Sequence, residues 1–225
     1  MILTQNSRII LAEKRKEEYL IGQKLTRYSV SHQEVDEHPT RPVGSLHTFS
    51  ETTLAPQNKE QLIFDIDMQV LIIPFIGRVQ VNDAKNQNTV EVGEALLMSI
   101  KSNKPLSIFN DFKHSDVHYL LAGFSSSEYV EGITRFSLTP DKPVTLFDKV
   151  SQKGLVKAVV GQWKGRSEDE YVPSSIQTFA WVVQGAFEIE NCLLQKADGL
   201  VLKGKEKIEF EALSNEAIVI FLEMA

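Results

Sequence analysis

Residues 73–81 read Ile-Pro-Phe-Ile-Gly-Arg-Val-Gln-Val, and residues 181–189, 108 positions later, read Trp-Val-Val-Gln-Gly-Ala-Phe-Glu-Ile. In both stretches an apolar run leads to a single glycine, and a second run with apolar residues at every other position follows. Alternation with a period of two is typical of a half-buried β-strand. A glycine between two strands indicates a turn or a close backbone approach that needs a residue without a Cβ atom. We therefore expect Gly77 and Gly185 to connect two strands in each half of the chain.

The match between the two halves continues through further strands in the same order. These are residues 93–98, 106–109 and 119–122 in the first half, and 197–202, 207–210 and 218–221 in the second. Four matched strands in one order indicate an internal duplication. Since few windows have helical periodicity, we predict an all-β fold made of two similar β-barrels. Residues 12–20 form the best helical candidate, but their run of charges fits a solvated hairpin turn equally well.

The composition excludes several classes of protein. The chain has 225 residues, enough for one large domain or two small ones, with 42% apolar and 24% charged residues. Its longest apolar stretch, 70–76, is much shorter than the roughly 20 residues of a membrane-spanning helix, so we expect no membrane partner. A formal charge of −6 gives no electrostatic support for direct binding to nucleic acid. A single cysteine, Cys192, and no visible secretory signal favour a cytoplasmic location.

Two motifs resemble those of a known family. Thr53-Leu54-Ala55-Pro56 resembles the LAPG segment of pirin-related bicupins, with Gln57 in place of the glycine. Val92-Gly93-Glu94-Ala95-Leu96-Leu97-Met98-Ser99 resembles their PGEALLLS segment, with Val92 in place of the proline. The resemblance runs from about Gly44 to Ala225. It implies a bicupin of the cupin superfamily, with an N-terminal segment (1–43) that joins a barrel edge, an N-terminal barrel (44–127) and a C-terminal barrel (128–225).

The resemblance also implies where a metal would be held. Metal-binding members use a His-x-His pair and a His-x-Glu pair around iron or a similar divalent ion. Those positions fall here on Ile63, Asp65, Ile108 and Asn110, and no histidine lies between His47 and His114. The equivalent positions of the second barrel are Tyr171 and Pro173. We therefore expect no metal cofactor, and we expect the first barrel either to be filled or to hold an apolar pocket with Asp65 and Asn110 as its polar groups.

Two further groups of residues could carry a site. His114, Asp116 and His118 would share one face of a strand and could offer two imidazoles and a carboxylate to zinc or iron. The alternative is that residues 114–116 form a polar turn and that only His118 lies in the sheet. Lysines also occupy matching turns in the two halves, 101–104 and 203–207, where they could attract an anionic ligand or serve solubility alone.

Three functions follow as hypotheses from the resemblance and from the missing ligands. The leading one is a metal-free module that binds a small molecule in the N-terminal barrel or interacts with a protein. The second is an oxygenase that resembles quercetin 2,3-dioxygenase, with a non-standard metal site. The third is a transcription-cofactor-like protein whose partner is a regulator and not DNA. The sequence names neither the ligand nor the oligomeric state.

Overall fold

The computed structural model describes residues 7–31, 41–83, 86–149 and 153–225. The chain divides into two compact units, Arg15–Phe136 and Met1–Lys14 with Ser137–Ala225. Within the described residues each unit contains one large and one small antiparallel sheet. The predicted all-β fold is confirmed.

The unit Arg15–Phe136 has a large sheet with the strand order β12-β9-β6-β11-β4-β3-β2 and a small sheet with the order β5-β10-β7-β8. Its strands are β2 (Lys16–Leu20), β3 (Lys24–Val30), β4 (Leu46–Leu54), β5 (Lys59–Ile63), β6 (Met68–Ile76), β7 (Val79–Asn82), β8 (Gln87–Val90), β9 (Glu94–Ile100), β10 (Pro105–Phe109), β11 (Val117–Ser125) and β12 (Glu131–Arg135).

The other unit repeats this arrangement, with a large sheet β1-β19-β16-β21-β14-β13 and a small sheet β15-β20-β17-β18. Its strands are β1 (Ser7–Ile10), β13 (Val144–Asp148), β14 (Leu155–Trp163), β15 (Glu168–Tyr171), β16 (Gln177–Gln184), β17 (Ala186–Ile189), β18 (Cys192–Gln195), β19 (Gly199–Lys203), β20 (Ile208–Ala212) and β21 (Ala217–Met224). Strand for strand, β6 corresponds to β16, β7 to β17, β9 to β19, β10 to β20 and β11 to β21, as the duplication predicts.

The two outermost strands depart from the expected domain boundaries. The early strand β1 pairs with β19 of the C-terminal unit, whereas β12 pairs with β9 of the N-terminal unit. The hairpin β2–β3 extends the N-terminal sheet beside β4, so this unit begins at Arg15 and not at Gly44. The helical candidate is a single 3₁₀ turn, Ala12–Lys14, followed by the strand β2.

Both glycines of the matched stretches connect strands at positive φ. Gly77 has φ 72° and Gly185 has φ 77°. A Cβ atom on Gly77 would lie 2.8 Å from Cγ1 of Val117, and one on Gly185 would meet Oγ of Ser214. The left-handed backbone and the close approach both favour glycine at these turns.

Apolar side chains fill each barrel. The interior of the N-terminal unit is lined by Leu54, Phe64, Met68, Val70, Ile72, Val79, Val81, Val90, Leu96, Met98, Ile100, Leu106, Ile108, Val117, Tyr119 and Leu121. The C-terminal interior is more aromatic, since Trp163 packs edge-on against Phe187 and Phe210. A small barrel can be filled by its own side chains or can hold one ligand, and buried apolar side chains line both of these interiors.

Candidate functional site

The inward positions of β5 are not the ones that the family resemblance implied. The burial of β5 alternates: Glu60 is buried and Leu62 packs against the core, whereas the Ile63 side chain is 59% exposed. Asp65 lies in an exposed bend beyond the strand. Side chains alternate between the two faces of a strand. If the implied motif positions are shifted by an odd number of residues from the true ones, inward and outward residues are therefore exchanged. Ile63 and Asp65 therefore lie outside the barrel.

The other implied pair, Ile108 and Asn110, is buried. Ile108 pairs with Glu60 across the β5–β10 ladder, and the backbone amide of Asn110 donates to the carbonyl of Asn58. The residues opposite this pair are thus Glu60 of β5 and Asn58, which directly precedes β5. The four expected pocket residues do not come together in one site.

Asn110 has a structural role. Its side-chain amide donates to the carbonyl oxygens of Leu54 and Ser115, both at 2.9 Å, and its Oδ1 accepts from the backbone amide of Phe112 at 3.0 Å. These bonds satisfy a buried amide group and fix the loop after β10. They commit both ends of the side-chain amide to backbone groups of the protein.

A buried ionic cluster that the sequence analysis missed lies at Glu60. The Lys24 ammonium contacts Oε1 of Glu60 at 2.8 Å and Oε1 of Glu18 at 3.2 Å, and the Tyr119 hydroxyl donates to Oε2 of Glu60. Burial and the neighbouring Glu60 carboxylate raise the pKa of Tyr119 well above its usual value. Burial alone would lower the pKa of Lys24, but the attraction of Glu60 and Glu18 outweighs it and the net shift is upward. The cluster therefore holds a charged lysine, a carboxylate and a neutral phenol.

The histidine candidate has the second of its two expected arrangements, in which residues 114–116 form a loop and only His118 lies in the sheet. His114 and Asp116 lie exposed in the loop before β11, and only His118 lies in the strand. His118 approaches Glu51 at 3.4 Å and packs edge-on against Phe75 at 5.7 Å between ring centroids. The loop residues thus do not share a strand face with His118.

The second barrel carries a comparable internal contact at Tyr171. Its ring stacks on Phe221 at 4.5 Å between centroids, and its hydroxyl donates to the buried carboxylate of Glu223. Glu223 also accepts from the backbone amide of Ser174 at 2.8 Å and from its hydroxyl at 2.6 Å. Pro173 is half-buried and lies in the loop that precedes β16.

The residues at the inward positions of the N-terminal barrel do not fit the metal centre that the family resemblance implies. Leu62 and Ile108 have no ligand atoms, Asn110 is committed to backbone groups, and Glu60 is already neutralised by Lys24. Iron and nickel sites instead use imidazole and carboxylate groups with open positions. No cluster of three or more His, Cys, Asp or Glu side chains suited to a metal occurs in the described ranges.

A cleft in the N-terminal unit lies beside the C-terminal end of β9, and we call it the β9 cleft. It has a volume of about 290 Å³, and its lining includes Met98, Ile100, Lys101, Lys104, Tyr129 and Glu131. A second cleft, in the C-terminal unit, has about 700 Å³ and is lined in part by Ile176, Gly204, Lys205 and Glu206. The two lysine-containing turns of the sequence thus each line a cleft.

The structure superposes on YhhW from Escherichia coli with a TM-score of 0.80 at 16% identity, over 96% of this chain and 97% of that chain. Bacterial pirin YhhW from Escherichia coli in complex with nickel(II) gives a TM-score of 0.80 at 16% identity, over 97% of this chain and 99% of that chain. The chain has the bicupin fold. The resemblance to pirin-related proteins is thereby confirmed at the level of the fold.

A quercetin 2,3-dioxygenase from Acinetobacter baumannii also resembles this bicupin, with a TM-score of 0.73 at 9% identity over 97% of this chain and 87% of that chain. No protein-family model matches the sequence, and no curated protein matches it significantly. Within the described ranges, no helix is long and apolar enough to cross a membrane.

Proposed function

We propose that this bicupin is a binding module for a small molecule and does not use a metal centre in its barrels. The observation that carries the proposal is the chemistry at the inward positions of the N-terminal barrel. Leu62 and Ile108 are apolar, Asn110 is hydrogen-bonded to three backbone groups, and Glu60 is paired with Lys24 and Tyr119. With apolar side chains lining the barrel interior, the β9 cleft beside the barrel is the place for a ligand.

The oxygenase hypothesis has less support. YhhW binds nickel and the Acinetobacter protein is a quercetin 2,3-dioxygenase, but both are distant from this chain in sequence. Such an activity here would need ligands from His114, Asp116 and His118, and two of these lie in an exposed loop. The hypothesis of a protein partner stays a prediction.

Metal analysis of the full chain tests the proposal. The purified protein is incubated with excess nickel(II), manganese(II) or iron(II), desalted, and analysed for metal content, and each sample is assayed for quercetin turnover. We expect substoichiometric metal and no turnover. One equivalent of metal that is lost in the variant Glu60→Gln or His118→Ala, or turnover of quercetin by the metal-loaded protein, would overturn the proposal.

A further inference from the structure

The strand β12 forms one edge of the large sheet in the N-terminal unit and pairs with β9 on its inner side. The backbone amide of Phe136 donates to the carbonyl of Gly93 at 2.8 Å, so it points toward the side of β9. Because successive amides of a strand point to opposite sides, those of Glu131, Ile133 and Arg135 point away from β9. Among the described residues, no strand pairs with this free side. Its amides and carbonyls can therefore form hydrogen bonds with a further strand.

The sequence of β12, Glu131-Gly132-Ile133-Thr134-Arg135, is complementary to itself when two copies run antiparallel. In the register centred on Ile133, this residue lies opposite its own copy, and Glu131 lies opposite Arg135 of the second copy. Two-fold symmetry repeats the charged pair, so the register contains two pairs of opposite charge and one apolar pair. All of these residues have amides on the free side, so each pair would exchange two backbone hydrogen bonds. Their side chains also share one face of the strand.

The side chains of this register are accessible and retain capacity for new contacts. Ile133 is 41% exposed, and the side chain of Arg135 is 87% exposed. The Arg135 guanidinium contacts Glu94 at 2.8 Å through Nε, and its other N–H groups can still donate to a second carboxylate. Each carboxylate oxygen of Glu131 accepts one hydrogen bond within the chain, and an ionised carboxylate has about four acceptor sites. A second copy can therefore be engaged without loss of the existing contacts.

The other edges of the two large sheets lack this self-complementarity. At the opposite edge of the same sheet, the symmetric register of β2 places Glu18 against its own copy, which is a repulsive pair. In the C-terminal unit, β1 corresponds to β12 and has Arg8 as its charged residue, without an acidic one to match it. The edge strand β13 has Asp148 and no basic residue. Charge complementarity with a second copy is thus a property of β12.

From these observations we infer that the protein forms a symmetric dimer in which the β12 strands of two copies pair antiparallel about Ile133. The seven-stranded sheets of the two copies then become one continuous sheet. Glu131 also lines the β9 cleft, so the pairing brings Arg135 of the second copy to the rim of that cleft. A five-residue edge is small beside the interfaces of stable dimers, so monomer and dimer exchange with concentration. The inference goes beyond the proposed function and does not depend on it.

Charge variants of the full chain test the register, with the dissociation constant of the dimer measured by sedimentation equilibrium over a concentration series. We expect the wild type to shift from monomer to dimer as its concentration rises. Arg135→Glu and Glu131→Arg should each weaken the dimer about tenfold, because both charged pairs become repulsive. An equimolar mixture of these two variants should restore association, since every pair between the two different chains is again attractive. Lys16→Glu, the same kind of charge reversal on β2, is the control and should keep the wild-type dissociation constant.

The variant Ile133→Pro tests the backbone hydrogen bonds separately. Its amide lies on the free side, where an edge strand tolerates proline, so thermal unfolding should stay close to that of the wild type while the dimer is lost. A wild type that is monomeric at every concentration would overturn the inference. So would a mixture of the charge variants that associates no better than either variant alone, or an effect of Lys16→Glu as large as that of Arg135→Glu.

Discussion

At the scale of single residues, Lys24 is the most informative position in the N-terminal barrel. Its side chain is 10% exposed and that of Glu60 is 3% exposed, so the pair is largely removed from water. A buried ion pair adds little net stability compared with an apolar pair, but removal of one partner leaves a buried charge without compensation. Glu60 also accepts a hydrogen bond from the Tyr119 hydroxyl, and Lys24 also forms an ion pair with Glu18.

We expect Lys24→Met to destabilise the protein by about 3 kcal/mol, because it leaves the Glu60 carboxylate buried without a cation. The free energy of unfolding is measured by urea denaturation at pH 7. The double variant Lys24→Met/Glu60→Gln should recover most of the loss. Lys16→Met, on the exposed strand β2, is the control and should have little effect. Equal stability of Lys24→Met and the wild type would contradict the prediction.

At the scale of elements, the small sheet of the C-terminal unit carries an unfavourable row of charges. Glu211 of β20 is directly opposite Glu168 of β15 on one side and Glu188 of β17 on the other. Like charges directly opposite each other destabilise an antiparallel pair. Nearby lysines do not relieve this row, because Lys205 is paired with Glu190 and Lys207 with Glu170 and Glu209.

We expect Glu211→Lys to stabilise the protein by about 0.5–1 kcal/mol, since it replaces two repulsive cross-strand pairs with two attractive ones. Thermal unfolding at low and high salt measures the change. The gain should shrink at high salt, because salt screens exposed charges. Glu206→Lys, in the turn before β20 and outside the row, is the matched control. A gain that is the same in both variants would show that net charge, and not cross-strand pairing, is responsible.

At the scale of the whole molecule, the stability of the protein should depend on pH through Glu51. Burial acts to raise the pKa of this carboxyl, but hydrogen bonds from His118 and Arg15 outweigh it, and the net shift is downward. A group whose pKa is lower in the folded than in the unfolded state stabilises the fold above its unfolded pKa. This stabilisation is lost as the pH falls through the folded pKa.

We therefore expect the free energy of unfolding to decrease as the pH is lowered from about 5, since unfolded glutamate has a pKa of about 4.3. In Glu51→Gln this decrease should be smaller, because the variant has no carboxylate to protonate at this position. Urea denaturation at a series of pH values gives both curves. Glu13→Gln, at an exposed position, should keep the wild-type dependence. Parallel curves for Glu51→Gln and the wild type would refute the role of Glu51.

The sequence by itself determined the all-β class, the duplication and the glycine turns, because period-two alternation and residues without a Cβ atom are local properties of the chain. It also determined that histidine is missing from the implied ligand positions. Only the tertiary structure decided which residues of β5 point inward, since an odd displacement reverses the faces of a strand and no local signal fixes it. The pairing of Lys24 with Glu60, the pairing of β1 with β19 and that of β12 with β9 likewise depend on residues far apart in sequence. Contacts of this kind arise only when the sheets assemble, so tertiary structure was needed to place the candidate ligand site.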